Sequence, residues 1–441
     1  MELKLGKPVI VAQGMTHEEG GWGPYQFPRI YNADGVLYTA FHKGKDEWGE
    51  LGGSMEKWFI STDSGQSWQP TDSEKAEMNT AVTAPNGDRI VFIREPGRDL
   101  YYMKHMPVQN THLLLPNEQR TKAPDGYLPL PSGVRVDTIS GSKIFTYDMD
   151  FLSDDFYDDR IIKAIRYKKG ETAGAEEIQT VNWTHRPLHM WWNDTNKNSC
   201  TCPTNPAGLG GRIKPAPDGT LWMTTPGNLD PKTGAYSYYN SCVILTSADN
   251  GKTWNYKNRI EYIPNTNENP YAYSEDGFNE SDFVFMSDGS VIILMRVNSV
   301  GWGGRNWSPL YFSRSTDMGE TWSKPEIFAD GGILPRMCQL CCGATVAIYG
   351  RPGIFVRATD DPSGLKWDDP VVVMTPNDRS HLCNKVPERP TFHQYVGSCC
   401  NCSIASVDEN TAIITYSDFY YPDETGLKRK TILTQTVTVE K

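Results

Sequence analysis

The sequence predicts an all-β fold, a β-propeller of six or seven four-stranded blades, from a recurring eight-residue segment, a recurring hairpin and a turn-rich composition. The segment S-x-D-x-G-x-[ST]-W occurs intact three times, at 61–68, 247–254 and 315–322, with a worn fourth copy at 359–367. It reads as a tight turn between two strands: the Asp carboxylate accepts from turn amides, the Gly takes a positive φ, and the Trp ring packs between neighbouring sheets. These are structural features, and no catalytic role follows from them.

The hairpin, an apolar strand, a turn and a second apolar strand, appears at 26–42, 80–94, 134–149, 212–225, 281–296, 343–357 and 403–417. Each reads as the two inner strands of a blade. Seven hairpins in 441 residues give about 63 residues per blade. Six blades would follow if one hairpin in the stretch 69–208 were an insertion. Seven is favoured, because 99–105 and 111–115 can supply the outer strands after the second hairpin, and 161–169 those after the third. The N-terminal strand, 8–12, is expected to pair with the blade containing 431–439 and close the ring, making 1–441 a single domain.

Composition agrees: 39 Gly, 30 Pro and 11% aromatic residues suit many short strands separated by turns. A net charge of −11, with no run of Lys or Arg, argues against a nucleic-acid or anionic-membrane surface. No stretch approaches the ~20 apolar residues of a membrane span. The start of the chain has no apolar core followed by a small-residue cleavage site, so a cytoplasmic location is expected, or a secreted one if a leader has been removed. The ten cysteines group as Cys200 and Cys202; Cys338, Cys341 and Cys342; Cys399, Cys400 and Cys402; with Cys242 and Cys383 alone. Adjacent cysteines bridge each other only with strain, so reduced thiols are expected, with a structural zinc on these clusters as the alternative. No cofactor is required, and the oligomeric state is open.

The repeated segment resembles the Asp-box, or BNR repeat, of the sialidase superfamily, and further positions resemble that family's site. Phe27-Pro-Arg29-Ile-Tyr resembles the strand of the first triad arginine, although the proline here precedes the arginine. The stretch 278–296 resembles the one in which a glutamate, here Glu280, opens a strand and the second arginine, here Arg296, ends the next. Arg351 keeps the spacing of the third arginine to its downstream Asp-box, and Ile413-Ile-Thr-Tyr416 resembles the strand of the tyrosine nucleophile.

The resemblance implies an exo-acting, retaining glycoside hydrolase for an acidic terminal sugar. Arg29, Arg296 and Arg351 would grip the carboxylate, and Glu280 would draw the proton from Tyr416 for attack at the anomeric carbon. The acid for the leaving group would come from the loop 43–56. Of Asp46, Glu47, Glu50 and Glu56 there, Asp46 is the choice.

A second constellation, His185, His189, Arg212 and Tyr239, has the base, the acid and the neutralising cation needed for β-elimination of a uronate-containing polysaccharide. Trp22, Trp48, Trp191, Trp192, Trp302 and Trp307 suit sugar stacking under either scheme. A third alternative is a propeller that binds a glycan without catalysis.

Overall fold

The fold was analysed in a computed structural model. It describes residues 1–21, 24–33, 35–44, 56–71, 81–92, 100–102, 114–116, 133–136, 143–148, 161–182, 189–193, 198–201, 212–227, 240–265, 267–268, 275–299, 308–351, 353–374 and 398–440. Among these residues the chain is almost entirely β, with one short helix, and no helix is long and apolar enough to cross a membrane.

The strands, in chain order, are β1 (Glu2–Leu5), β2 (Val9–Gln13), then after α1 (His17–Gly20) β3 (Gln26–Ala33), β4 (Val36–His42), β5 (Glu56–Ser61) and β6 (Gln69–Thr71). Next come β7 (Ala81–Thr83), β8 (Arg89–Phe92), β9 (Leu100–Tyr102), β10 (Leu114–Pro116), β11 (Gly133–Val136), β12 (Lys143–Asp148), β13 (Ile161–Tyr167), β14 (Gly174–Asn182), β15 (His189–Asn193) and β16 (Asn198–Thr201). They are followed by β17 (Ile213–Pro215), β18 (Leu221–Gly227), β19 (Ser241–Ser247), β20 (Thr253–Ile260), β21 (Glu275–Phe285), β22 (Val291–Ser299), β23 (Leu310–Ser315) and β24 (Glu326–Ala329). The last are β25 (Ile333–Gln339), β26 (Thr345–Gly350), β27 (Ile354–Thr359), β28 (Val371–Met374), β29 (Cys402–Ser406), β30 (Thr411–Pro422) and β31 (Lys428–Glu440).

The chain divides into two compact units, Met1–Asn79 with Ser281–Arg296 and Asn306–Lys441, and Thr80–Glu280 with Val297–Arg305. In the first unit β3 to β6 form one antiparallel sheet, β25 to β28 another, and β29, β30, β31 and β1 a third, to which β2 adds along β31. The sheet β21 to β24 belongs to this unit from Ser281 to Arg296 and through β23 and β24. These sheets pack face to face through alternating apolar residues. Val284, Ile292 and Leu294 meet Met337, Ala347 and Tyr349; Val346, Ile348 and Val356 meet Ile404, Ile414 and Leu433; and Ala405 and Ile413 meet Ile30 and Leu37. At the N-terminus, β2 pairs with β31 from Val9↔Thr434 to Gln13↔Thr431, and β1 with its far half, from Glu2↔Glu440 to Leu5↔Val437.

In the second unit β17 to β20 form a four-stranded group whose outer strand β20 runs parallel to β14. That joins it to the group β7, β8, β13 and β14. Strands β11, β12, β15 and β16 form a further sheet, and β9 pairs with β10. Two strand assignments made from sequence are corrected. The strand Ile161–Tyr167 completes the second hairpin, not the third, with Ala164 opposite Phe92; Ile162 and Ala164 are wholly apolar partners for buried Ile90 and Phe92. The hairpin at 343–357 is the second and third strand of its sheet, because β25 precedes it with Cys338 opposite Val346. Pro335 in the middle of that stretch breaks the alternation that identifies a strand.

The repeated turn is built as its chemistry requires. Ser61 Oγ donates to Asp63 Oδ1 at 2.7 Å and accepts from Gly65 N at 2.9 Å, and Ser67 N donates to the same carboxylate at 3.0 Å. The other intact copies repeat these bonds from Ser247, Gly251 and Thr253 and from Ser315, Gly319 and Thr321. Positive φ extends one residue earlier than the glycine, to Ser64, Asn250 and Met318, at 54–58°. In the worn copy Asp361 still accepts from the backbone of Ser363, Leu365 and Lys366. Two of the tryptophans staple their turn to a neighbouring strand: Trp68 Nε1 donates to Thr434 Oγ1 at 2.9 Å and Trp254 Nε1 to Gln179 Oε1 at 2.8 Å.

Candidate functional site

In each sheet of the first unit that carries the repeated turn, the turn joins the third and fourth strands. The opposite end therefore holds the start of the first strand, the end of the second and the start of the third. At that end two sheets share a device. The register of β3 against β4 slips between Gln26↔His42 and Arg29↔Ala40, and that of β25 against β26 slips identically between Ile333↔Gly350 and Arg336↔Ile348. The extra residue is an apolar one at positive φ before a proline: Phe27 at 51° before Pro28, Leu334 at 45° before Pro335. Each bulge delivers an arginine, Arg29 or Arg336. Tyr25, Arg351 and Cys400 also have positive φ, at 65°, 51° and 57°. Among the described residues, every non-glycine at positive φ thus lies in a repeated turn or at this end of the sheets. Such conformations cost on the order of 1–3 kcal/mol each and concentrate where a fold holds side chains for use.

Cys399 ties two of these strand ends together. Its carbonyl oxygen accepts from Arg351 Nη2 at 3.4 Å, while its thiol lies 3.0 Å from Ser417 Oγ and faces the backbone N–H groups of Asn401 and Phe27. Ser398 Oγ donates to the Ser417 carbonyl at 2.7 Å and accepts from Cys400 N at 2.9 Å. Burial pushes the Cys399 thiol up and that of Cys400 to about 11, so both remain protonated at neutral pH. Gly350 is required here, since a Cβ would stand 1.7 Å from the Cys400 carbonyl oxygen. The end of β26, the start of β29 and the start of β3 therefore meet at one residue, Cys399, the first through its carbonyl and the last through its thiol.

Arg29 forms an ion pair with Glu56, both side chains being mostly buried at 17% and 14% exposure. Arg351 lies at the Cys399 junction. Arg296 is half-exposed and opposite Leu310 where β22 leaves the sheet. Glu280 is half-buried on β21 and belongs to the second unit. Arg212 is half-buried, with its backbone bonded to Thr224. Asp46, His185 and Tyr239 lie outside the described residues, as do Trp22, Trp48, Trp302 and Trp307; His189, Trp191 and Trp192 are described only through the backbone of β15. Among the described residues no three His, Cys, Asp or Glu side chains are grouped to hold a metal; Cys202, Cys383 and the Cys200 side chain are not among them.

Tyr416 does not join this end of the sheets as an available nucleophile. It is 4% exposed in the core between two sheets, beside Ile414 and Leu433, and its hydroxyl donates to Gln435 Oε1 at 3.1 Å. Burial, followed by Asp418 and Tyr421, pushes its pKa far up, because a phenolate there would be an anion without water. Sequence reasoning passed over Arg336 and Lys430, and read Cys399 only as one of a group of thiols. The repetition of an apolar residue, Pro and Arg at 27–29 and 334–336 is legible in the sequence and would have found Arg336. Lys430, inside Lys428-Arg-Lys430, reads as part of a solvated face.

No protein-family model matches the chain, and no curated protein matches it. Among solved structures, a protein of unknown function from Dyadobacter fermentans aligns over 99% of both chains at 12% identity, with a TM-score of 0.57. A mutant of the NanB sialidase from Streptococcus pneumoniae aligns over 97% of this chain and 70% of its own, at 11% identity and a TM-score of 0.43. An α-L-arabinofuranosidase from Fusarium graminearum aligns over 97% and 98%, at 10% identity and a TM-score of 0.43. The first of these shows a fold shared end to end.

Proposed function

We propose that the protein is a β-propeller glycoside hydrolase related to the sialidase superfamily, its four-stranded groups being blades and its repeated turns Asp-boxes. The sugar would bind at the sheet end away from those turns. The observation that carries this is the meeting of Arg351 and the Phe27-Pro28-Arg29 bulge at Cys399, in a backbone strained at several residues. Arg296 and Arg351 would hold the carboxylate of an acidic terminal sugar. Tyr416 has no catalytic part in this scheme, and the acid and the base or nucleophile would be carboxylates.

The Arg29–Glu56 ion pair favours a second scheme, a hydrolase for an uncharged terminal sugar. A guanidinium already neutralised by a neighbouring carboxylate adds little to the grip on a substrate anion.

Purified protein incubated with sialylated glycans, uronate-terminated glycans and neutral 4-methylumbelliferyl glycosides separates these outcomes. Free acidic sugar, lost in Arg351→Met, supports the first scheme, and release from neutral glycosides alone supports the second. The ultraviolet absorbance of an unsaturated uronate would instead favour the lyase, and silence on all substrates would overturn the enzymatic proposal.

A further inference from the structure

The segment between β2 and β3, described at residues 14–21 and 24–25, lies over the end of the last sheet, where β30 turns into β31. Its hold there centres on one residue. The Lys430 backbone N–H donates to the Met15 carbonyl at 2.9 Å, and its carbonyl accepts from Gly14 N at 3.0 Å. Its ammonium donates to the Pro24 carbonyl at 3.0 Å and stands 4.0 Å from the centre of the Phe419 ring, against which His17 also stacks at 5.5 Å. Next to it, Arg429 Nη1 donates to the Gly14 carbonyl at 3.1 Å.

The Lys430 side chain is wholly buried, and among the described residues no carboxylate pairs with it. An ammonium in that setting costs several kcal/mol of hydration, and a methionine would fill the same volume without that cost. What a methionine lacks is the donor that fixes Pro24. Pro24 is followed directly by Tyr25, whose N–H donates to the His42 carbonyl at 2.9 Å, and then by the bulge that delivers Arg29.

We infer that Lys430 is a positioning residue: by holding the Pro24 carbonyl it fixes the start of β3, and with it the Phe27 bulge and Arg29. The cation over Phe419 and the bond to Pro24 lock the ammonium from two directions, so the strand start cannot shift without exposing a buried charge. The structural half of this stands alone; its effect on substrate rests on the function proposed above.

The test is amide hydrogen exchange on the full chain, together with kinetics on whichever glycan of the panel releases sugar. In Lys430→Met the amides of Gly14 and Tyr25 should exchange about tenfold faster, while those of Gly251 and Thr321 in the repeated turns keep their rates. Lys430→Gln, which keeps a donor, should restore part of the protection. KM should rise about tenfold with kcat little changed, because the Phe27 bulge meets Arg351 at Cys399. Unchanged exchange at Gly14 and Tyr25, or equal acceleration at all four amides, would overturn the inference. Should Lys430→Met not fold, Phe419→Leu, which removes the ring beneath the ammonium, is read in the same way. If no glycan is turned over, the exchange arm still decides the positioning role, and the failure belongs to the proposed function.

Discussion

The Tyr416 hydroxyl donates to Gln435 Oε1 at 3.1 Å, and Gln435 in turn donates through Nε2 to the Gly6 carbonyl at 2.7 Å. This chain leads from the middle of the last sheet to its outer edge, and it assigns the tyrosine to the packing of the N-terminal strands. Tyr416→Phe should lower stability by about 1–2 kcal/mol, the cost of leaving a buried amide oxygen without its donor, and leave glycan turnover intact. Urea unfolding and sugar release measure the two effects. Loss of turnover by orders of magnitude with stability preserved would restore the tyrosine nucleophile.

Arg29 and Glu56 should behave as a coupled pair. Because both side chains retain some exposure, the coupling from Arg29→Met, Glu56→Gln and the double variant should be about 1–2 kcal/mol, below that of a fully buried pair. A double-mutant cycle in urea checks this, and additive losses would mean that the two groups do not share one interaction.

Lys430 makes stability depend on alkaline pH. Burial lowers its pKa from 10.5 to about 8, with the neighbouring Cys399 thiol opposing the shift. Between those values the unfolded chain holds a proton that the folded one has released, so this residue's contribution becomes more favourable as pH rises from about 8 towards 10.5. Its penalty is fully present below about pH 8. The unfolding free energy of the wild-type chain relative to Lys430→Met should therefore improve with pH over that window, by up to about 3 kcal/mol. His17 also feels the Lys430 charge but titrates below this window, and burial keeps the Cys399 and Cys400 thiols protonated through its lower part. A flat difference from pH 8 to 10 would show the amine to be hydrated.

The carboxylates of Asp63 and Asp317 are held down to about 2 by the Ser and Thr hydroxyls and turn amides around them. A depressed carboxylate stabilises above its unfolded value of 3.8, and that contribution is lost as pH falls through the folded value of about 2. Asp317→Asn should lower the melting temperature at pH 7 and flatten the loss of stability between pH 4 and pH 2. An acid transition as steep as that of the wild type would assign it to other groups.

The parts of the fold written in local chemistry were legible. Ser61, Asp63, Gly65 and Trp68 make a turn from bonds within eight residues, so spacing alone reveals them. Outer strands were less so: nothing near Ile161 says that it joins the sheet of Phe92 rather than that of the hairpin closer in sequence, because that choice depends on which apolar faces match across a long connection. At the start of β3 the arginine was legible and its partner was not. Glu56 stood among four acids of one loop, and only the register of β5 against β4 brings it beside Arg29.

By itself the sequence determined an all-β chain of repeated hairpins and the turns that end them, since both follow from period-two alternation and short-range hydrogen bonding. Tertiary structure alone decided that Tyr416 is core, that Arg29 is neutralised, and that Arg351 and the Phe27 bulge meet at Cys399. Burial and charge pairing are properties of residues distant in the chain, and the same tyrosine or arginine is reactive or inert according to what the packing of neighbouring sheets sets against it.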